Sequence, residues 1–255
     1  MKTLLYCSLL LLALSCKKAP SDIVDPEHDT VLAEYPDWYT LKAPVDKEIQ
    51  GVWGDWDKTL LITTGFAIFR STDKGKHWQQ VYQQSNGIFG IVQNQDTLFT
   101  MTGLTNQTLK DFYQQVLIHA DNYSLDDGQT WQRYIKRNPM LDEPRSGQPI
   151  DKRLLINPVT ASRGTTYRIN RVFLDGPSAT TGQFETPGVI TSDGRRVDLP
   201  QLHQLNSLFL DSQQRLYVAG TDAVCGRGGK TGEPFSFCNS KQGRGVVYIS
   251  KHPSP

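Results

Sequence analysis

The sequence predicts an all-β chain of about four similar antiparallel sheets, joined in a ring. Three observations predict it. One turn motif occurs twice, as Ser71-Thr72-Asp73-Lys74-Gly75-Lys76-His77-Trp78 and as Ser124-Leu125-Asp126-Asp127-Gly128-Gln129-Thr130-Trp131. Strand-like runs flank each copy: Phe66 to Phe69 and Trp78 to Tyr82 around the first, Val116 to His119 and Trp131 to Ile135 around the second. The third observation concerns the two ends. The run Gly245 to Ser250 reads as the strand before such a turn but has no strand after it, and Trp38 to Lys42 reads as a strand after a turn with none before it.

Each element has a physical reason. Gly75 and Gly128 can take positive φ, as a tight hairpin turn requires. Asp73 and Asp126, two residues earlier, can accept hydrogen bonds from backbone N–H groups inside the turn, and Ser71 and Ser124 can do so more weakly. Trp78 and Trp131 open the next strand with a large apolar surface for a core. Strand, turn and strand make a β-hairpin. Four segments share the layout of apolar strand, polar turn and apolar strand. They open at Ile49, at Gly87, in a degraded form near Tyr167, and at Leu205. In the third, Ser192-Asp193-Gly194 stands as a shortened turn with no Trp after it. Residues 138 to 165 read as a long loop or an extra strand pair, and residues 138 to 170 have room for a fifth irregular sheet. Insertions are expected at 104–113, 138–165, 176–187 and 225–243.

The spacing S-x-D-x-G-x-x-W resembles the Asp-box (BNR) repeat of sialidase-like proteins, carried here by Ser71, Asp73, Gly75 and Trp78 and by Ser124, Asp126, Gly128 and Trp131. The resemblance, with a repeat of roughly 50 residues, implies a small β-propeller of about four four-stranded blades. Its last blade would be closed by the N-terminal strand, which removes an exposed sheet edge. Hairpins of the same type also build β-sandwiches, the rival architecture. The family includes glycosidases with an arginine triad, an acid/base Asp and a Tyr nucleophile. Their first Arg sits in an F/Y-R-I-P-like motif before the first box, whereas here no Arg occurs before Arg70. Tyr167-Arg168-Ile169-Asn170 echoes that motif in the wrong segment. Glu143, Glu185 and Glu233 are isolated, and glycoside hydrolysis wants two carboxyl groups facing one cleft. No catalytic, cofactor-binding or metal-binding residues are assigned. The five His are scattered, without zinc-ligand spacing. Gly226 to Thr231 lacks the first Gly of a phosphate loop and the helix after it.

The N-terminal stretch is expected to be a targeting segment. Met1-Lys2-Thr3 is followed by a mostly apolar run from Leu4 to Leu14, too short to span a bilayer. It closes on Ala13-Leu14-Ser15-Cys16, which resembles the lipobox of bacterial lipoproteins, and Cys16-Lys17-Lys18 is similar to those of Bacteroidetes-type bacteria. The resemblance implies a signal peptide over 1–15, acylation of Cys16, a tether over 16–33, a propeller over 34–255, and a place in the cell envelope on the outer membrane. A plain secretory peptide cut nearby is the rival. Export also fits the cysteines: with Cys7 and Cys16 set aside, Cys225 and Cys238 enclose a Gly-rich loop that a disulfide would staple; two free thiols are the alternative. The formal charge of +1, without a basic run, gives no footprint for nucleic acid. The expected function is a non-catalytic envelope protein that binds an envelope or secreted protein, or a glycan, through its loops. The alternatives are a sialidase-like glycoside hydrolase and a toxin-neutralising immunity lipoprotein.

Overall fold

In the computed structural model, residues 31–109, 112–135, 138–142, 149–176, 178–179, 182–201, 203–227, 235–237 and 245–253 are described. In chain order they give β1 (Trp38–Lys42), β2 (Gly51–Gly54), β3 (Leu60–Thr63), β4 (Gly65–Ser71), β5 (Gln79–Ile88), β6 (Gly90–Asn94), β7 (Thr97–Leu109), β8 (Phe112–Ser124) and β9 (Gln132–Arg133). A short helix α1 (Pro139–Asp142) and a 3-10 turn (Lys152–Leu154) follow. Then come β10 (Leu155–Asn157), β11 (Val159–Thr160), β12 (Thr166–Phe173), β13 (Phe184–Thr191), β14 (Arg196–Val197), β15 (His203–Leu210), β16 (Leu216–Arg227), β17 (Phe235–Phe237) and β18 (Val246–Ser250).

These strands form four antiparallel sheets, the blades of a four-bladed β-propeller. Blade I is β2-β3-β4-β5. Blade II is β6-β7-β8, with β9 and β10 on different stretches of the outer edge of β8. Blade III is β11-β12-β13-β14, and blade IV is β15-β16-β18-β1. The last blade therefore takes its outer strand from the other end of the chain. β1 pairs with β18 in unbroken register from Trp38↔Ser250 to Lys42↔Val246.

The middle strands read as continuous apolar runs because both of their faces are buried. Successive side chains point to opposite faces of a strand, so each middle strand feeds two cores. Leu60 and Ile62 of β3 and Phe69 of β4 join Tyr217, Val247 and Ile249 between blades IV and I. Leu61 and Ile68 join Ile91 and Leu98 between blades I and II. Leu216, Val218 and Tyr248 meet Tyr167, Ile169 and Val189 between blades III and IV. The fourth core is irregular. Phe99, Met101 and Val116 of blade II are covered by Leu141, Leu154 and Ile156 from the 138–157 excursion, and Asn157 ties this excursion to blade III by accepting the N–H of Ile169 at 2.8 Å. The excursion thus contributes a strand to blade II and covers the joint, and the described residues form no fifth sheet.

Both copies of the turn motif, called boxes below, adopt one geometry. The Ser71 hydroxyl donates to Asp73 Oδ1 at 2.8 Å and accepts the N–H of Gly75 at 2.9 Å. Ser124 makes the same two bonds with Asp126 and Gly128, at 2.8 and 2.9 Å. Asp73 accepts the N–H of His77 at 3.0 Å, and Asp126 that of Thr130 at 2.9 Å. Lys74 and Gly75 have φ of 62° and 75°, Asp127 and Gly128 of 54° and 75°. Each box seats its glycine on the preceding blade. A Cβ on Gly75 would overlap Leu41 of β1, and one on Gly128 would overlap Leu61 of β3. Trp78 and Trp131 pack against the same two cores. The boxes are therefore interblade staples as well as turns. In blade III, Thr191 stands in the Ser position and bonds Asp193, whose other oxygen accepts Arg195 Nε at 2.7 Å. No Trp follows, and the joint it would have filled is the one the excursion covers.

Two outcomes follow. Gly75→Ala and Gly164→Ala both force Ala into positive φ, but a Cβ on Gly164 meets nothing within 4 Å. Urea denaturation should show Gly75→Ala less stable than Gly164→Ala by about 1–3 kcal/mol, the usual cost of overpacking; equal losses would show that the box does not staple the blades. The second outcome concerns pH. The Thr130 N–H, then its hydroxyl, then Ser124 hold the Asp126 carboxyl down at about 2, against about 3.9 unfolded. A depressed carboxyl stabilises the fold fully above its unfolded value, and this is lost as pH falls through the folded value. The melting-temperature gap between wild type and Asp126→Asn should be constant above about pH 5 and close towards about pH 2.

Candidate functional site

The blades have two distinct ends. One face carries the turns from each inner strand to the second strand, at 55–59, 95–96, 161–165 and 211–215, together with the box turns. The register places Gly54, Leu60 and Ser71 together at that end of blade I, and Leu210, Leu216, Ser250 and Trp38 together at that end of blade IV. The opposite face carries the links between second and third strands. In blade I this link is Thr64 alone. In blades II, III and IV it grows into long hairpins: β7 and β8 run for 13 residues each, β12–β13 enclose a loop, and β16 continues to Arg227 to pair with β17. The described parts of the expected insertions at 104–113, 176–187 and 225–243 thus lie on one face. That at 104–113 is largely strand, since the β7–β8 pairing continues to Leu109↔Phe112.

A cavity on the propeller axis measures about 810 Å³. Its wall comes from all four blades. Trp53 of β2, Ile91 of β6, Val159 of β11 and Leu208 of β15 line it, with Ile156 and Leu117 beside them. The inner strands of blades I and II touch at their first residues: a Cβ on Gly51 would lie 2.8 Å from Gly90 Cα. At the other end the rim is polar and includes Asp55, Lys58, Gln95, Asp127, Lys152 and Arg153. The site is thus a cup with a mainly apolar wall, and its polar rim is on the box face.

The rim is held by side-chain bonds between blades. Asp55 accepts the N–H of Ser212 at 2.8 Å, joining blade I to blade IV. Arg70 Nε donates to the Asp127 carbonyl at 3.1 Å, joining blade I to blade II. Arg153 reaches from the excursion to Asn94 Oδ1 at 2.5 Å, and its other donors engage Asp151. The Asp151 carboxyl is thereby held below its ordinary range, chiefly by the Arg153 guanidinium. At the seam of blades IV and I, the fully buried Asp211 accepts Arg215 Nε at 2.7 Å and the Tyr217 hydroxyl at 3.0 Å, and Arg215 also donates to Asp57 at 2.8 Å. Burial is the main cause that pushes the Tyr217 hydroxyl well above its ordinary range, with the Asp211 charge second. Asp57 is held low by its bonds from Arg215 and then Lys74.

The sequence-predicted residues fall as follows. The box residues Ser71, Asp73, Gly75 and Trp78, and Ser124, Asp126, Gly128 and Trp131, lie at the blade turns, where they act structurally. Asp73 is held far below the ordinary range by the His77 N–H first, then the His77 ring and Ser71. Cys16 and Cys238 lie outside the described residues. Cys225 falls within the β16 backbone with its side chain undescribed, so the expected lipidation and disulfide do not enter the geometry. Glu143 and Glu233 are likewise outside. Of the tryptophans outside the boxes, Trp53 lines the cup, whereas Trp56 is only 8% exposed and stacks on Tyr39 with ring centroids 4.5 Å apart. The reason is β1, whose Tyr39 covers Trp56 when the ring closes. Sequence reasoning missed the cup wall supplied by Ile156, Val159 and Leu208, because a ring-lining edge follows from closure and has no motif of its own. Among the described residues no group of three or more His, Cys, Asp or Glu is placed to hold a metal ion, and no helix is long and apolar enough to cross a membrane.

No protein-family model matches the chain, and no curated protein matches it. Among solved structures it is similar to YCF48 bound to D1 peptide, at 11% identity and a TM-score of 0.28, over 84% of this chain and 72% of that one. It is similar to the extracellular domain of BT4673 from B. thetaiotaomicron at 13% identity and a TM-score of 0.26, over 74% of this chain and 28% of that one. It is also similar to YCF48 from Cyanidioschyzon merolae, at 7% identity and a TM-score of 0.25, over 73% and 68% of the two chains. Likenesses of this size carry no argument about function, and the propeller is read from the sheet order and the interblade cores.

Proposed function

We propose that this protein is a non-catalytic binding protein of the cell envelope, anchored by acylation of Cys16, that receives a segment of a partner protein in its axial cup. The observation that carries the reading is the cup itself. About 810 Å³ is within the range of ligand pockets, and an apolar wall with a few polar groups around it is their usual lining. An apolar wall suits the side chains of a protein loop, while rim groups of both signs can orient it. The anchor is supported by the residues around Cys16 alone.

A binding role is favoured over glycoside hydrolysis by the way the rim carboxylates are used. Asp211 is enclosed by Arg215 and Tyr217, and Asp55 bonds a backbone N–H of the next blade. Asp151, bonded by Arg153 at the rim, and Asp57, bonded by Arg215 and then Lys74 beside it, are held below their ordinary range. A general acid in a glycosidase needs the opposite shift.

The test is capture on immobilised wild type and Gln93→Trp, at a residue of β6 that lines the cup, from envelope extract, secreted proteins and a glycan panel. The reading expects one protein held in stoichiometric amount by the wild type and at least about tenfold more weakly by the variant, a loss of about 1.4 kcal/mol, with the melting temperature unchanged. Equal capture by both would remove the cup from the site. Glycans alone on the wild type would replace the protein partner with a carbohydrate.

A further inference from the structure

The cup wall has a backbone as well as side chains. Each inner strand pairs with the second strand of its blade along one edge, and its other edge faces the axis. Successive residues of a strand present their N–H and C=O to alternate edges. The turn bonds fix which residues face which way. Asp55 N donates to the Thr59 carbonyl at 3.0 Å, and Asp211 N to the Arg215 carbonyl at 3.3 Å. Trp53 and Phe209 therefore bond within their blades, while Val52, Leu208 and Leu210 turn their backbone groups to the axis. In β6, Asn94 and Thr97 pair across a tight turn and can bond only through their own N–H and C=O. Val92 accordingly bonds β7, and Ile91 and Gln93 face the axis. Val52, Ile91, Gln93, Leu208 and Leu210 all line the cup. No hydrogen bond from another described residue reaches the axial backbone groups of Val52, Ile91, Leu208 or Leu210, and the Gln93 carbonyl has only Arg153 Nη1, at 3.5 Å.

We propose that the segment received by the cup is an extended strand, held by backbone pairing with these open inner edges; this rests on the cup proposed above. The spacing selects the occupant. Axis-facing residues recur at every second position, about 6.6 Å apart at 3.3 Å per residue, and each offers one donor and one acceptor. A second extended chain repeats its own N–H and C=O at the same spacing, and a sugar ring does not. Leaving such groups unpaired in a walled cavity costs free energy that a paired strand recovers. The inner edges also lack the usual guards against pairing: β2 (GVWG) and β6 (GIVQN) carry no charged residue and no proline. In this mode main-chain bonds supply affinity, and pockets for alternate side chains supply selectivity. Trp53 and Ile156 offer the apolar surface for those side chains. The four residues of β2 correspond to about 13 Å of added strand.

The probe is an acetylated and amidated hexapeptide of alternating Thr and Val, titrated into the full chain and followed by tryptophan fluorescence and by hydrogen exchange read at single amides. An analogue carries N-methyl groups on its two central residues, which removes one donor from each edge and leaves the side chains unchanged. The hexapeptide is expected to slow exchange at least about tenfold at the axis-facing amides of one inner strand, such as Ile91 and Gln93 or Leu208 and Leu210, with Val92 and Phe209 unchanged. The analogue should bind at least about tenfold more weakly. Binding without that alternating protection, or equal binding of the analogue, would overturn strand pairing and leave the cup as a site for side chains. Absence of hexapeptide binding would overturn it too. Whether the cup takes a protein partner at all is read separately, from capture by wild type and Gln93→Trp.

Discussion

The pairing of β1 with β18 is the interaction on which the rest of the structure depends. It joins residues more than 200 positions apart through five register pairs and turns a row of blades into a ring. Its side chains serve both neighbouring cores: Leu41 packs between blades IV and I, and Trp38 between blades III and IV, where its indole N–H donates to the Asp198 carbonyl at 3.0 Å. Without β1, β18 would be an open edge, Trp56 would lose the ring stacked on it, and the first box turn would have no Leu41 against which to seat Gly75. The buried Asp211, Arg215 and Tyr217 lie at the same seam, with Arg215 reaching out to the exposed Asp57. Breaking a buried ion pair of this kind is strongly destabilising, because it leaves a charge uncompensated, so the seam has a polar as well as an apolar lock.

Closure also makes the cup. An axial cavity exists only when four inner strands face one another, and its wall is drawn from residues distant in sequence, such as Trp53, Ile91, Val159 and Leu208. Each blade contributes one inner strand, and the interblade bonds from Asp55, Arg70 and Arg153 fix the rim. The chain separates two tasks by face. Short turns on the box face hold the blades in register around the cup, whereas the blade extensions lie on the opposite face, where they do not crowd the rim.

Much of this architecture was legible in the sequence because it rests on local chemistry. The boxes were readable from Asp and Gly at fixed offsets, and the middle strands from runs such as Leu60-Leu61-Ile62 that are apolar on both faces. The strand that closes the ring was readable from an unmatched run at each end. The 138–157 excursion was harder. It has no repeat to match, and its role in covering blade II through Leu141, Leu154 and Ile156 is set by the neighbouring sheet. The burial of Trp56 was illegible for a related reason, since its cover comes from β1 across the closing seam. The cup was illegible because no residue in its wall has an unusual identity; only their convergence does.

The most direct test of the account is native-state hydrogen exchange on the full chain. If closure by β1 and the integrity of the ring are one cooperative event, the amides of β1 and β18 will exchange through the same opening, at the same free energy, as those of β3 and β16. If β1 instead exchanges through a separate opening of low free energy while β3 stays protected, the closing strand is an appendage, and the dependence of the propeller on it is contradicted.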